Sequence, residues 1–220
     1  MQAIIIGGGI AGTVAAIALQ EAGIASTVYE AYDRTADGVG AFLSLAVNGL
    51  DALRPFGLDA VVRREGFDTG RMAMLSGGGK TLAAFANGPT LPNGLVSQTI
   101  RRTDLYVALR DEAVRRGIAV AYGKRLDTAE QSARGGVIAR FTDGDQAEGD
   151  LLIGADGLQS RARRIIDPAA PTARYIGLLN TGGYARGVRV PSEPGVINFI
   201  FGKRCFFGYV LHPDGEIWWF

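Results

Sequence analysis

Residues 3–30 of this chain read AIIIGGGIAGTVAAIALQEAGIASTVYE, and the glycine cluster near their start restricts the fold more than any other feature of the sequence. Ala3 to Ile6 is a β-branched apolar run that favours extended chain, and Ile10 to Ala22 is alanine-rich and favours helix. Gly23 stands where such a helix stops, and Ser26 to Tyr29 returns to strand character. The spacing predicts a βαβ unit of about 30 residues whose turn, Gly7-Gly8-Gly9-Ile10-Ala11-Gly12, matches G-x-G-x-x-G in the strand-to-helix context that gives the pattern its meaning.

Each part of that turn has its own physical role. Gly7 permits the tight exit from the strand, Gly9 lets backbone approach a pyrophosphate, and Gly12 lets the helix pack closely on the sheet. The phosphates then lie at the positive helix N-terminus, beside Ile10 and Ala11. Glu30 falls 18 residues beyond Gly12 at the end of the second strand, where a carboxylate can accept hydrogen bonds from a ribose. The same fingerprint serves FAD and NAD(P), so this segment alone does not choose between them.

Composition removes other classes. Lys and Arg number 23 against 22 Asp and Glu, so a net charge of +1 gives no footprint for nucleic acid and no polybasic patch for a membrane. A single cysteine, Cys205, and a single histidine, His212, exclude an internal disulfide and the usual metal-ligand spacings. No basic segment precedes the first apolar residues and no apolar run reaches the roughly 18 residues that span a bilayer, so the expected location is the cytoplasm.

A second apolar strand runs into a polar turn at Leu151-Leu152-Ile153-Gly154-Ala155-Asp156-Gly157, followed by Leu158-Gln159-Ser160-Arg161-Ala162-Arg163. If this strand lies in the same sheet, Asp156 and the Gly157 amide end beside the first turn, and Ser160 caps the following helix.

Three segments, GGGIAG at the start, IRRTDLYVALRD at 100–111 and GADGLQSRAR at 154–163, resemble the FAD-dependent aromatic monooxygenases, the group similar to p-hydroxybenzoate hydroxylase. The family's G-A-D-G-x-x-S-x-x-R segment matches at Gly154, Ala155, Asp156, Gly157, Ser160 and Arg163. Its R-x-x-L element matches Arg102 and Leu105, which implies that Arg102 lies near the FAD, where a guanidinium suits a phosphate or flavin edge. The resemblance also implies an adenine contact from the Leu126 backbone, and close approach to the flavin side by Gly40 and Ala41 within GVGAFLSLAVNGLDALRPFGL, residues 38–58.

What the resemblance implies is an α/β fold. It has a Rossmann-like βαβ FAD-binding domain from 1–70 and 99–172, and an inserted and following antiparallel substrate-domain sheet from 71–98 and 173–220. Tyr184 and Arg186, on one face of a strand there, would offer a phenol and a cation to an aromatic acid. Phe199, Phe201, Phe206 and Phe207 are expected in the core or at a domain contact, and His212 in a hairpin turn before Pro213-Asp214-Gly215. SGGGKT at 76–81 lacks the first glycine of a phosphate loop and is expected to be a hairpin turn.

The family's third motif, a Gly-Asp element followed by Ala-Ala-His, does not occur in these 220 residues, so the chain is expected to be the N-terminal part of a longer enzyme or the product of a loss. An aromatic end, Trp218, Trp219 and Phe220, is then expected to need cover from a further segment, a partner chain or an oligomer. The implied activity is hydroxylation of an aromatic or similar electron-rich small molecule, with FAD as cofactor and NAD(P)H and O₂ as co-substrates. Two alternatives remain open: a non-catalytic nucleotide-binding remnant or interaction protein, and a related flavoprotein such as a halogenase, whose W-x-W-x-I-P signature is absent.

Overall fold

The computed structural model describes residues 1–33, 40–133 and 135–220. In chain order the elements begin β1 Gln2–Ile6, α1 Ile10–Glu21, β2 Ala25–Tyr29, β3 Phe42–Leu45, α2 Val47–Leu53, α3 Leu58–Glu65, β4 Phe67–Asp68, β5 Arg71–Ser76, β6 Thr81–Ala86 and β7 Gln98–Arg101. They continue with α4 Arg102–Arg115, β8 Ala119–Ala121, β9 Leu126–Gln131, β10 Val137–Phe141, β11 Gln146–Gly149, β12 Leu151–Gly154, α5 Arg161–Ile166, β13 Gly183–Ala185, β14 Val196–Phe201, β15 Phe206–Leu211 and β16 Ile217–Trp219. Two compact units result, and both are discontinuous in sequence. The described residues of the first are 1–33, 106–133 and 135–176, and those of the second are 40–105 and 177–220.

The first unit is built on a parallel sheet in the order β12-β1-β2-β8. β1 lies between its neighbours with Ile6 opposite Gly154 on one side and Tyr29 on the other. Ala3, Ile4, Ile5 and Ile6 are all buried, as a parallel strand covered on both faces requires. Helix α1 turns Gly12, Thr13, Ala16 and Ile17 inward, a spacing of three and four that lays one stripe on the sheet. An antiparallel meander, β11-β10-β9, contributes Leu126, Ala139 and Phe141 to a core shared with Ile4, Ile6 and Ala162. The Tyr29 ring stacks on Phe141 with centroids 4.8 Å apart, which joins the two sheets.

The second unit holds an antiparallel three-stranded sheet, β3-β7-β4, and a six-stranded sheet in the order β13-β16-β15-β14-β5-β6. Residues 40–70 and 99–105, expected with the first unit, fall in this one, because β3 and β4 both pair with β7. The larger sheet is mixed: β14 runs parallel to β5, with Val196 opposite Arg71 and Phe201 opposite Ser76. The turn at 76–81 is the expected hairpin, β5 pairing antiparallel with β6.

β16 is an interior strand, paired with β13 on one side and β15 on the other, so Trp218 is 3% exposed and packs with Phe67, Ile197 and Val210, while Trp219 and Phe220 are half-buried. Phe199 joins that core, but Phe201, Phe206 and Phe207 are exposed, because they lie at the end of the β14–β15 hairpin beyond the reach of the inner layer. Among the described residues no helix is long and apolar enough to cross a membrane.

Candidate functional site

In the first unit the glycine turn leaves β1 at Gly7, whose φ of 105° lies in the region that favours glycine. A Cβ on Gly7 would come within 2.5 Å of the Ala155 carbonyl oxygen, and one on Gly12 would fall on the Gly7 carbonyl. The turn is therefore closed from behind by the second motif and from above by its own helix. Gly9 differs from both. It is the N-cap of α1, no side chain caps that helix, and a Cβ there would meet nothing within 4 Å. Open space thus stands over the helix start, where the first-turn N–H groups have no acceptors within the helix.

Glu30 closes the front of the same turn. Its Oε2 accepts the Gly8 N–H at 2.7 Å and its Oε1 accepts the Tyr32 N–H at 3.0 Å, which fixes the carboxylate beside the glycines with a lone pair remaining on each oxygen. The carboxylate therefore shapes the turn as well as standing where a ribose is expected. Gly8, an unspecified position in the G-x-G-x-x-G pattern, is the partner that spacing alone does not single out.

The second motif sits directly against the first: β12 is parallel to β1, and the Ala155 N–H donates to the Ile6 carbonyl at 2.7 Å. Asp156 is occupied locally. Its carboxylate accepts from the Ser160 hydroxyl at 2.5 Å and from the Arg161 and Ala162 N–H groups at 2.6 and 3.0 Å. Ser160 Oγ in turn accepts the Arg163 N–H, the expected cap of α5. Gly157 has a φ of 76° and open space at its Cβ position. Arg163 donates from Nη2 to the Leu158 carbonyl, while its Nε is buried without a partner. Leu126 faces the core with its side chain.

In the second unit Gly40, Ala41 and Arg102 come together. The Arg102 N–H donates to the Ala41 carbonyl at 2.9 Å, and the Arg102 side chain lies across Gly40, where a Cβ would be 2.9 Å from Cδ. Gly40 has a φ of 95°, so both its conformation and its neighbour call for glycine. Residues 38 and 39 of the segment aligned with the flavin side lie outside the described residues.

Tyr184 and Arg186 meet a cluster the sequence did not announce. Glu216, 8% exposed, accepts from Arg101 Nη2 at 2.5 Å and from the Trp218 indole N–H at 2.9 Å, and pairs with Arg186 Nε at 3.2 Å. Burial pushes the Glu216 carboxyl up, but the indole N–H and the two guanidinium groups outweigh it and leave it lowered. Arg186 is also paired with Asp214 at 2.8 Å, so its charge is already matched. The Arg101 guanidinium lies 4.8 Å from the Tyr184 ring centroid and 5.2 Å from that of Trp218. Burial raises the Tyr184 phenol. His212 occupies the expected turn and stacks on Trp218 at 5.3 Å.

Comparison with known proteins accounts for this arrangement. The chain is 36% identical over 185 residues to the FAD-dependent urate hydroxylase of Klebsiella pneumoniae, an alignment covering 83% of this chain and 47% of that protein. It is 34% identical over 187 residues to the kynurenine 3-monooxygenase of Stenotrophomonas maltophilia, covering 80% and 40%. The crystal structure of Klebsiella pneumoniae HpxO complexed with FAD and uric acid superposes with a TM-score of 0.87 at 30% identity, over 100% of this chain and 55% of that one. The chain thus spans about half the length of the relatives it matches. A family model described as "FAD binding domain" matches residues 1–212, and the chain belongs to that family.

Proposed function

We propose that this chain supplies the FAD-binding region and part of the substrate-binding region of a flavin monooxygenase that uses NAD(P)H and O₂ to hydroxylate an aromatic or similarly electron-rich small molecule. The observation that carries the reading is the glycine turn. It is uncapped and open at Gly9, walled by Gly7 and Ala155, and flanked by the fixed Glu30 carboxylate.

These residues fit FAD. The first-turn N–H groups from Ile10, Ala11 and Gly12 are free of intrahelical acceptors and suit a pyrophosphate, and Glu30 keeps lone pairs for ribose hydroxyls. The buried, unpaired Nε of Arg163 is a donor set close to the second turn. Asp156 acts by holding the start of α5, which orients Gly157 and Arg163. In the same proposal the Leu126 backbone lies toward adenine, Gly40, Ala41 and Arg102 serve the flavin side, and Tyr184 and Arg186 serve the substrate. Bound FAD supplies the redox chemistry between NAD(P)H, O₂ and substrate. The protein's share is binding, orientation and exclusion of water. A cytoplasmic setting, where NAD(P)H is abundant, belongs to the proposal.

The test is the visible spectrum of the purified chain after FAD addition and desalting, with NADPH oxidation followed in the same sample. Retained flavin supports the assignment of the turn. A colourless protein that fails to quench FAD fluorescence at any concentration refutes it.

A further inference from the structure

β6 is the last strand of the six-stranded sheet, so one of its edges meets β5 and the other meets no strand among the described residues. The N–H and C=O groups along such an edge are a template for another strand, and proteins guard it with charge, proline or a short length. β6 has none of these guards within its span. Thr81-Leu82-Ala83-Ala84-Phe85-Ala86 contains no charge, no proline and no glycine, and every residue except Ala83 is exposed, Phe85 by 46%. A register shift opposite Met74 and Leu75 lies toward the hairpin turn and leaves Ala83 to Ala86 in regular pairing with β5.

Hydrogen-bond alternation identifies the groups that point outward. The Asn87 N–H donates to the Gly70 carbonyl at 2.8 Å, one step beyond the pairing of Ala86 with Arg71. Main-chain groups in an antiparallel ladder alternate in direction, so Phe85 and Ala83 turn theirs to β5, while Ala84 and Ala86 turn theirs to the open edge. A second β6 laid alongside by a two-fold axis through the sheet at Phe85 runs antiparallel to the first. It sets Ala84 of each copy opposite Ala86 of the other, and each such pair exchanges both of its N–H···O=C bonds. The same axis brings the two half-exposed Phe85 rings together on one face at a non-hydrogen-bonded position, where facing side chains are nearest and aromatic pairs are favourable.

Charge does not oppose this approach. Lys80 lies beyond the register shift, outside the paired residues, and Arg71, the β5 neighbour of Ala86, is matched by Glu193 at 2.7 Å. Area sets the strength. An edge of six residues is roughly 20 Å long, and a strip about 10–20 Å deep along it buries roughly 200–400 Å² per copy, against about 800 Å² in a standard interface. The pairing is therefore weak and reversible.

We infer that the free edge of β6 is a self-association surface whose partner is a second copy of this chain, joined antiparallel through Ala84 and Ala86 about a two-fold axis at Phe85. The axis uses each copy's edge once, so association closes at the dimer. The inference goes beyond the proposed function and does not depend on flavin.

The experiment is sedimentation equilibrium of the chain from about 5 to 500 µM, with an expected monomer–dimer Kd of roughly 10–500 µM. Ala84→Pro deletes an outward N–H and no bond to β5, a placement an edge strand tolerates, and Ala84→Lys sets like charges across the axis. Circular dichroism verifies the fold of each variant, and either one folded suffices for the comparison. Each should weaken the dimer at least about tenfold. On a Cys205→Ser background, Phe85→Cys should give a disulfide-linked dimer under mild oxidation, because facing Cα atoms at about 4.5 Å are within disulfide reach. Ala83→Cys should not, since the same axis holds those residues about 14 Å apart. A wild type that stays monomeric at the highest concentration leaves the edge to a strand of another protein and overturns the inference. So does a dimer equally strong in the folded Ala84 variants, association that runs past the dimer, or cross-linking at residue 83 and not at 85.

Discussion

Gly9 and Gly12 stand three residues apart in one turn, yet the structure assigns them opposite responses to the same added methyl group. At Gly9, φ is −74° and ψ is −172°, a conformation alanine adopts freely, and the Cβ meets nothing within 4 Å. Alanine is a poorer N-cap than glycine by up to about 1 kcal/mol. It also lowers the entropy of the unfolded chain by about 0.4–1 kcal/mol, so the two effects nearly cancel. Gly9→Ala should therefore unfold within about 2 °C of the wild type. At Gly12 the methyl group falls on the Gly7 carbonyl and 3.3 Å from the Ala155 Cβ, so backbone has to move. Overpacking of this kind costs about 1–3 kcal/mol, or roughly 2–12 °C in Tm at 2–4 °C per kcal/mol.

FAD affinity reverses the ranking of causes. On the proposed reading the open volume at Gly9 is where phosphate approaches, so Gly9→Ala should lose at least about tenfold in FAD affinity with its fold intact, an effect of about 1.4 kcal/mol. Gly12→Ala should lose affinity only together with stability. Thermal unfolding by circular dichroism and a flavin fluorescence titration on both variants decide the matter. A Gly9→Ala chain with wild-type FAD affinity, or a Gly12→Ala chain with wild-type Tm, would falsify the account of the turn.

Ser160→Ala removes the cap that accepts the Arg163 N–H and the donor to Asp156, and should cost about 1 kcal/mol, read as a Tm lower by about 3 °C. Glu112 accepts from Arg115 through both carboxylate oxygens and from Arg116, and the Arg115 bond, more than any other contact, holds its carboxyl at about 2 against an ordinary 4.5. Since the folded value is the lower one, the stabilisation is complete above pH 4.5 and disappears as pH falls toward 2. Urea midpoints across that interval should fall more steeply for the wild type than for Glu112→Gln, and parallel profiles would remove Glu112 from the acid response. Glu216→Ala leaves Arg101, Arg186 and the Trp218 N–H without their shared acceptor. Breaking a fully buried pair costs about 3–5 kcal/mol; with the Arg101 side chain 39% exposed, about 2 kcal/mol is expected in urea denaturation, and a loss under about 0.5 kcal/mol contradicts the assignment.

Local devices were the legible part of this molecule. The strand, glycine turn and helix of residues 2–21 are coded by neighbours in sequence, as is the Ser160 cap, so both can be read without knowing the fold. The triplet of Arg101, Arg186 and Glu216 is joined across 115 residues between Arg101 and Glu216, and none of its members belongs to a local pattern. The hydrogen bonds that join the hydroxyls of Ser44, Thr99 and Thr69 likewise exist only once β3 and β4 have both paired with β7. The parallel pairing of β14 with β5 was invisible for another reason: alternation along a strand reports which face is buried, not which way its neighbour runs. The exposed Phe201, Phe206 and Phe207 show that an aromatic residue is not a core residue where a hairpin extends past its supporting layer.

The placement of β12 against β1 has a consequence for how the molecule is made. Ile4 is paired with Leu152, and at about 5–20 residues per second a ribosome delivers the second of these roughly 7–30 s after the first. Throughout that interval one edge of a strongly apolar strand is a template without its native partner, open to chaperones and to wrong strands alike. The turn acquires its rear wall only when Ala155 arrives against Gly7. The earlier-made of the two motifs is thus completed only with the later one, and on the proposed reading FAD cannot meet a finished turn until residue 155 has been made.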